Sequence, residues 1–167
     1  MNATTPRIIA AILAIGLSLS AAGCGQGEVV GEKSLRKARI AWNQSKIRGY
    51  DLEWITTGPQ TSPSGDHYAV AVREGEVTSI ERVSADGKRV PIRPAKPQFY
   101  GMDGLFLTME EELAQLETDA PFNAPKGTDV VLRFTTDPKL GYLKSYRRDI
   151  LTQPRGLAID VVRFVPR

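Results

Sequence analysis

The chain has 167 residues, with 22 Lys and Arg against 19 Asp and Glu, and it contains one His and one Cys. That length accommodates one domain with a single hydrophobic core. One cysteine and one histidine exclude a disulfide framework, a zinc–thiolate site and a multi-histidine metal centre. The formal net charge of +3 is small. A nucleic-acid-binding protein normally carries a concentrated basic surface, and the sequence contains no nucleic-acid-binding motif, so we expect no nucleic-acid partner.

The N-terminus has the three-part layout of a secretory signal peptide. A short segment with one positive charge, Arg7, precedes an apolar run at residues 8–19, and small residues then lead to Cys24. The run is shorter than the roughly 20 residues that a membrane-spanning helix needs. Small side chains directly before a cysteine suit a peptidase pocket, and a thiol is the nucleophile that accepts a diacylglyceryl group. Residues 21–24 resemble the lipobox of bacterial lipoproteins.

Lipidation of Cys24 also explains the cysteine count. A lone cysteine in an exported chain cannot form an internal disulfide, and an exposed thiol is reactive in an oxidising compartment. We therefore predict a signal peptide over residues 1–23, a flexible tether over 24–33 and one domain over 34–167. Acylation supplies the chains that stable anchoring to a bacterial membrane requires, with the domain facing the periplasm or the cell exterior. Cleavage after Ala22 without lipid is the alternative.

The first half of the domain predicts one helix and three strands. Residues 34–46 carry apolar side chains at helical spacing, including Leu35 and Trp42. Apolar and polar residues then alternate with period two, which is typical of half-buried strands. These strands cover residues 50–54, 67–73 and 77–83.

The second half repeats that order. Phe106, Met109, Leu113 and Leu116 lie on one face of a predicted helix, and Thr108 to Glu111 form a candidate capping box near its start. The fold prediction is therefore α+β, an antiparallel β-sheet meander with two helices packed on one face, in the order α-βββ-α-βββ. Its last three strands are predicted at residues 129–135, 142–148 and 157–165.

Several short motifs occur along the domain, namely Ala41-Trp42, Ile47 with Tyr50, the strand ending at residues 73–77, Leu105-Phe106, and Asp137 with Gly141-Tyr142. Together, over residues 35–165, they resemble a family of bacterial secreted lipoproteins of unknown function. The resemblance implies the fold and the exported location, and it carries no catalytic residues.

The residues offer little catalytic chemistry. His67 stands without a nucleophile motif, so we interpret it as a surface or strand-edge residue. Glu110, Glu111 and Glu112 point about 100° apart on a helix and cannot converge on one substrate. We place them in an early helical turn, where negative charge favours the helix dipole. Trp54 and Tyr100 are interpreted as core residues, with a stacking groove as the alternative.

Basic residues concentrate near the C-terminus, and we predict that Lys144, Arg147 and Arg148 form a binding surface for an anionic partner. Arg155, Arg163 and Arg167 add to the local charge. The alternative is a solvated sheet face whose charge Asp149 and Asp160 balance.

The sequence therefore predicts a non-enzymatic, membrane-anchored envelope lipoprotein with lipidation at Cys24. We expect it to bind a protein or an anionic envelope polymer, and we expect no cofactor and no metal. Two alternatives remain open at this point. One is a cell-envelope hydrolase that uses carboxylates, and the other is an inhibitor of a periplasmic enzyme.

Overall fold

The structure is a computed structural model that describes residues 27–151 and 156–167. Within these residues the chain forms eight strands and two α-helices, with short 3-10 turns at Pro97–Tyr100 and Pro121–Asn123. In chain order the elements are β1 (Glu28–Val29), α1 (Glu32–Gln44), β2 (Tyr50–Thr57), β3 (Asp66–Arg73), β4 (Glu76–Val83), β5 (Arg89–Pro91), α2 (Met102–Gln115), β6 (Val130–Thr136), β7 (Leu143–Ile150) and β8 (Leu157–Pro166).

The eight strands form one antiparallel sheet in the order β1-β6-β7-β8-β2-β3-β4-β5. Two meanders, β2 to β5 and β6 to β8, are joined because the last strand, β8, pairs with β2. The predicted α+β class with an antiparallel sheet is confirmed. The sheet differs from a single meander at the β8–β2 junction and in its two edge strands, β1 and β5. Those strands are too short to show a period-two pattern, and Pro91 stands on an edge, where no ladder donor is needed.

Both helices pack on the same face of the sheet. The alternation of β2 turns Tyr50, Leu52 and Trp54 inward, and all three are buried. Trp42 of α1 meets Tyr50 edge-on, with ring centroids 5.7 Å apart. The α2 residue Phe106 is fully buried in the same core. Among residues 27–151 and 156–167, no helix covers the opposite face of the sheet, which we call the uncovered face.

The predicted capping box of the second helix is wrong. Helix α2 begins at Met102, well before Thr108, whose hydroxyl instead donates to the Gly104 carbonyl oxygen within the helix at 3.0 Å. The helix start is held by a tertiary contact, since the Met102 backbone N–H donates to the Tyr50 hydroxyl at 2.8 Å. No local sequence signal encodes that contact.

The second half of the segment predicted as a flexible tether forms regular structure instead. Glu28 and Val29 pair with β6, and the Val30 backbone N–H donates to the Leu132 carbonyl oxygen at 2.9 Å. Glu32 already opens α1. The chain is therefore attached to the sheet from Gly27 onward. The remainder of the predicted tether and the predicted signal peptide lie outside the described residues.

We predict that Gly104→Ala destabilises the protein even though alanine is the better helix former. A Cβ at this position would lie 2.3 Å from the Gln98 carbonyl oxygen and 2.3 Å from Phe99 Cα, so the start of α2 would have to move off the 3-10 turn. We expect the free energy of unfolding, measured by urea titration, to fall by about 1–3 kcal/mol. Gln115→Ala, at an exposed position of the same helix, is the control and should change it by less than about 0.5 kcal/mol. Equal stability of the two variants would contradict this packing.

Candidate functional site: the uncovered face of the sheet

The uncovered face of the sheet carries a connected group of charged side chains. The same alternation that turns Tyr50 and Leu52 of β2 inward turns Asp51 and Glu53 outward. Arginines from β3, β5, β8 and the residue after β8 reach these two carboxylates. We call this group the outer cluster, and its members are Asp51, Glu53, Arg73, Arg89, Arg163 and Arg167.

Each carboxylate of the outer cluster accepts hydrogen bonds from two arginines. Arg73 Nη2 lies 2.7 Å from Asp51 Oδ1, and Arg167 Nε lies 2.9 Å from Asp51 Oδ2. Arg89 Nη2 and Arg163 Nη1 lie 2.9 and 3.0 Å from Glu53 Oε1. Four guanidinium groups thus share two carboxylates, although Glu81 also lies 3.5 Å from Arg89. The arginines are about half exposed, so each ion pair contributes at most about 1 kcal/mol to stability.

The arginines determine the protonation of both carboxylates. Hydrogen bonds from Arg167 and Arg73 lower the pKa of Asp51. Partial burial by itself would raise the pKa of Glu53, but hydrogen bonds from Arg89 and Arg163 outweigh it and lower that pKa as well. Both groups therefore stay ionised well below neutral pH. A carboxyl held in this state cannot serve as a general acid near neutrality.

A shallow depression of about 180 Å³ opens beside the outer cluster. Small side chains from β3 and β4 form its floor, namely Ala69, Ala71 and Ser79. The charged side chains around it are Arg89 and Arg163 together with Asp51, Glu53 and Glu81. Small residues in the middle of a charged sheet face leave the arginine head groups accessible from the side. An anionic group of the size of a carboxylate or phosphate can approach them there.

The three residues of the predicted binding surface do not share one face. Arg147 points to the uncovered face and binds Asp160 at 2.6 Å. Arg148, the next residue, points to the helix side and binds Glu112 at 2.9 Å. Lys144 is exposed beside the register shift at the start of β7. A strand alternates its side chains, so adjacent residues cannot line one patch. Arg147 and Asp160 fit the alternative prediction, a sheet face on which the charges balance. Asp149, the other acid of that alternative, lies 3.7 Å from Arg133.

Glu112 is the residue whose role the sequence analysis missed. It is 7% exposed, in the second half of α2, and not in an early helical turn as predicted. Its carboxylate accepts hydrogen bonds from the Tyr146 hydroxyl and from Arg148, whose guanidinium lies 4.2 Å from the Phe122 ring centre. Burial raises the pKa of Glu112, and the two hydrogen bonds offset only part of that effect. Glu112 contacts Tyr146 and Arg148 of β7 across the core, and no local sequence pattern predicts contacts between residues so far apart in the chain.

The remaining candidate residues have structural roles. Trp54 is a core residue, as predicted, and its indole N–H donates to the Tyr100 carbonyl oxygen at 3.1 Å. His67 lies on β3 at the uncovered face, where its Nε2 is 3.5 Å from Glu53 Oε2. Over residues 27–151 and 156–167, no group of three His, Cys, Asp or Glu side chains is placed to hold a metal ion. No helix in those ranges is long and apolar enough to cross a membrane.

Cys24, the predicted lipidation site, and Arg155 lie outside the described residues. Comparison of the chain with protein families and with curated proteins finds no match. The resemblance to secreted lipoproteins therefore stays a prediction.

The opposite pKa shifts of Glu53 and Glu112 predict opposite effects of pH on stability. The unfolded chain binds protons at the ordinary carboxyl pKa, so Glu53, with a lowered pKa when folded, stabilises the protein at neutral pH. That contribution is lost as the pH falls from about 5 through the lowered pKa. Glu112, with a raised pKa when folded, loses its contribution as the pH rises from about 4 through the raised pKa.

We expect Glu53→Gln to reduce the loss of stability in acid, and Glu112→Gln to reduce the loss of stability between the ordinary carboxyl pKa and neutrality. Urea unfolding, followed by circular dichroism at a series of pH values, measures how the free energy of unfolding changes with pH in each variant. Because the substitutions are isosteric, each variant is the control for the other. If both substitutions changed the pH dependence of the free energy of unfolding in the same direction, Glu53 and Glu112 could not have opposite pKa shifts.

Proposed function

We propose that this protein is an exported, lipid-anchored envelope protein that binds an anionic partner through the uncovered face of its sheet and catalyses no reaction. The observation that carries the binding function is the outer cluster, in which four guanidinium groups share Asp51 and Glu53. Arginine presents several N–H donors in a planar fork, and the carboxylates use only part of them. A partner that carries carboxylate or phosphate groups can bind the donors that remain.

The geometry favours binding over the hydrolase alternative. A carboxylate-based hydrolase needs one protonated and one ionised acid facing each other across a cleft. Asp51 and Glu53 stand on the same strand, and arginines lower the pKa of both. Glu112, whose pKa is raised, is buried between α2 and β7 and bonded to Tyr146 and Arg148. Neither the pair Asp51 and Glu53 nor the buried Glu112 therefore supplies a protonated and an ionised acid across a cleft.

The inhibitor alternative requires an apolar docking surface on the sheet. The uncovered face instead carries charged and small polar residues around the depression. The exposed large apolar side chains in the described part of the chain come from different elements, and Val29 and Val90 lie on the two opposite edge strands of the sheet. The others are Ile40 on α1, Leu151 after β7 and Val162 on β8. The polar character of the face favours a charged partner.

The binding proposal predicts that Arg89→Gln combined with Arg163→Gln weakens retention on an anionic matrix. The detergent-solubilised full-length protein would be applied to a polyphosphate resin and eluted with a salt gradient, with uncharged resin as the blank. A charge-assisted hydrogen bond contributes about 1.5–3 kcal/mol, so loss of two arginines should weaken binding by at least about tenfold and lower the eluting salt concentration. Arg36→Gln with Lys37→Gln, on the exposed side of α1, removes the same charge and should elute like the unaltered protein. Identical elution of both double variants would contradict a specific role for the outer cluster.

The anchoring proposal predicts a diacylglyceryl-modified Cys24 at the N-terminus of the native protein. Intact mass spectrometry and membrane fractionation would be compared between the native protein and Cys24→Ala. We expect the native protein in the membrane fraction with the mass of the acylated chain beginning at Cys24, and the variant unprocessed and unacylated. A native chain cleaved after Ala22, without lipid and in the aqueous fraction, would show that the cysteine is not an anchor.

A further inference from the structure

The position at which the chain enters the described fold determines which end of the sheet a lipid anchor would hold. Gly27 lies against β6, since a Cβ there would be 2.5 Å from the Phe134 carbonyl oxygen and 3.1 Å from Thr135 Cγ2. The next residues run antiparallel to β6, with Glu28 opposite Phe134 and Val29 opposite Arg133. Going backward along the chain, Gly27 therefore leaves the sheet toward the C-terminal end of β6. That is the end at which β6 turns into β7.

The chain between the anchor and the sheet is short. Cys24 precedes Gly27 by three residues. Even fully extended, three residues span only about 10–11 Å. That reach is close to the Debye length of about 8–10 Å at physiological ionic strength. An acylated Cys24 therefore holds this end of the domain within electrostatic range of the lipid headgroups.

Exposed lysines surround the point where the tether leaves. Lys139 lies in the β6–β7 turn, and Lys144 lies at the start of β7. The same turn touches α1, because a Cβ on Gly141 would lie 2.6 Å from the Trp42 backbone nitrogen. Lys46, which is exposed, follows the end of that helix. We call the part of the surface formed by Lys46, Lys139 and Lys144 the proximal end.

Several acidic groups near the proximal end are engaged in local contacts. Asp103 accepts a hydrogen bond from the Trp42 indole at 3.2 Å and lies 3.4 Å from Arg39. Glu28 is exposed on β1. The Asp137 carboxylate is engaged within its own turn, where it accepts hydrogen bonds from the backbone N–H groups of Lys139 at 2.9 Å and Leu140 at 2.8 Å.

Glu74 and Glu76 lie at the same end of the sheet but in the β3–β4 hairpin. That hairpin lies four to five strands from β6 across the sheet, about 19–24 Å at about 4.8 Å per strand. On the side of Lys46 it is closer, since Arg48, two residues further on, donates to the Glu74 carbonyl oxygen at 3.1 Å.

The opposite end of the sheet has the opposite charge balance. Its loops and strand ends, within the described residues, carry more acidic than basic side chains. Repulsion from an anionic surface therefore favours turning this end away from the membrane. The acidic residues are Asp66, Asp86, Glu117, Asp119, Asp129 and Asp149, and the basic residues are Arg82, Lys88, Arg89 and Lys126.

We propose that the proximal end is a membrane-contact surface, on which Lys46, Lys139 and Lys144 bind the phosphate groups of anionic lipid headgroups and hold the domain in one orientation. This inference depends on the lipid anchor of the proposed function, and it adds a second, electrostatic contact to it. The tether length and the charge difference between the two ends both favour a lipid surface as the occupant. One lysine near an anionic membrane strengthens association about fivefold, so three lysines are sufficient to bias the orientation of an already anchored domain.

The test measures which end of the anchored protein lies near the headgroups. In the acylated protein Cys24 is blocked, so a cysteine introduced elsewhere is the only free thiol to accept a fluorescent label. Pro138→Cys labels the proximal end, and Ala85→Cys labels the β4–β5 turn at the opposite end; both positions are exposed. The full acylated protein would be reconstituted in phosphatidylcholine vesicles, with or without phosphatidylglycerol, that contain a headgroup-bound quencher.

We expect the label at position 138 to be quenched more strongly than the label at position 85, and phosphatidylglycerol to increase that difference at low salt. The triple variant Lys46→Gln, Lys139→Gln and Lys144→Gln should lose most of the increase while it still floats with the vesicles. The control Lys37→Gln, Lys88→Gln and Lys126→Gln removes three exposed lysines elsewhere and should keep it.

Each contrary outcome is distinguishable. A protein that floats with the vesicles but shows equal quenching at both positions overturns the orientation and leaves the anchor intact. An increase with phosphatidylglycerol that both triple variants retain overturns the role of the three lysines. A native protein that does not float with the vesicles overturns the anchor and this inference together.

Discussion

The pairing of β8 with β2 is the contact on which both faces of the protein depend. It runs from Tyr50 opposite Pro166 to Thr57 opposite Ala158, with one register shift after Glu53. On the helix side it brings Tyr50 and Phe164 to a ring-centroid distance of 5.2 Å, beneath Trp42. On the uncovered side it places Arg163 directly across from Glu53 and brings Arg167 to Asp51. One backbone register thus determines the aromatic core and the outer cluster together.

The protein contains two polar groups of very different energetic character. The outer cluster is partly exposed, so water screens its ion pairs, and its arginines remain available to a partner at little cost in stability. Glu112 and Arg148 are shielded between α2 and β7, where removing one member would leave the other as an uncompensated charge. Tyr146 and the ring of Phe122 complete that enclosure. The first group is therefore suited to binding and the second to holding α2 on the sheet.

The two proposed surfaces are geometrically compatible. With the β6–β7 turn at the membrane, the strands stand upright on the bilayer and the uncovered face looks sideways. Asp51, Arg73 and Arg167 of the outer cluster then lie at the membrane end of the sheet, where β2 begins and β3 and β8 end, whereas Arg89 lies at the start of β5, at the opposite end. A partner can reach Arg89 and the neighbouring Arg163 without displacing the domain from the lipid surface.

Most of the long elements could be predicted because their signals are local. The period-two alternation of β2 turns Tyr50, Leu52 and Trp54 inward, and it also indicates that Asp51 and Glu53 face solvent. The helical spacing of Leu35, Ala38 and Trp42 likewise reports the buried face of α1. The sequence alone also supports the export prediction, because a signal peptide is a local pattern. Edge strands of two or three residues have no period, so β1 and β5 could not be recognised.

The tertiary structure decided which of the charged residues act together. Lys144, Arg147 and Arg148 are neighbours in the sequence, but strand alternation sends Arg147 and Arg148 to opposite faces. Asp51 and Arg167 are 116 residues apart and meet because β8 returns beside β2. The start of α2 and the burial of Glu112 depend in the same way on distant residues, Tyr50 and Tyr146. Composition and periodicity report what a residue's own segment does. Partners across the sheet follow from strand order and register, and those depend on the packing of the whole chain.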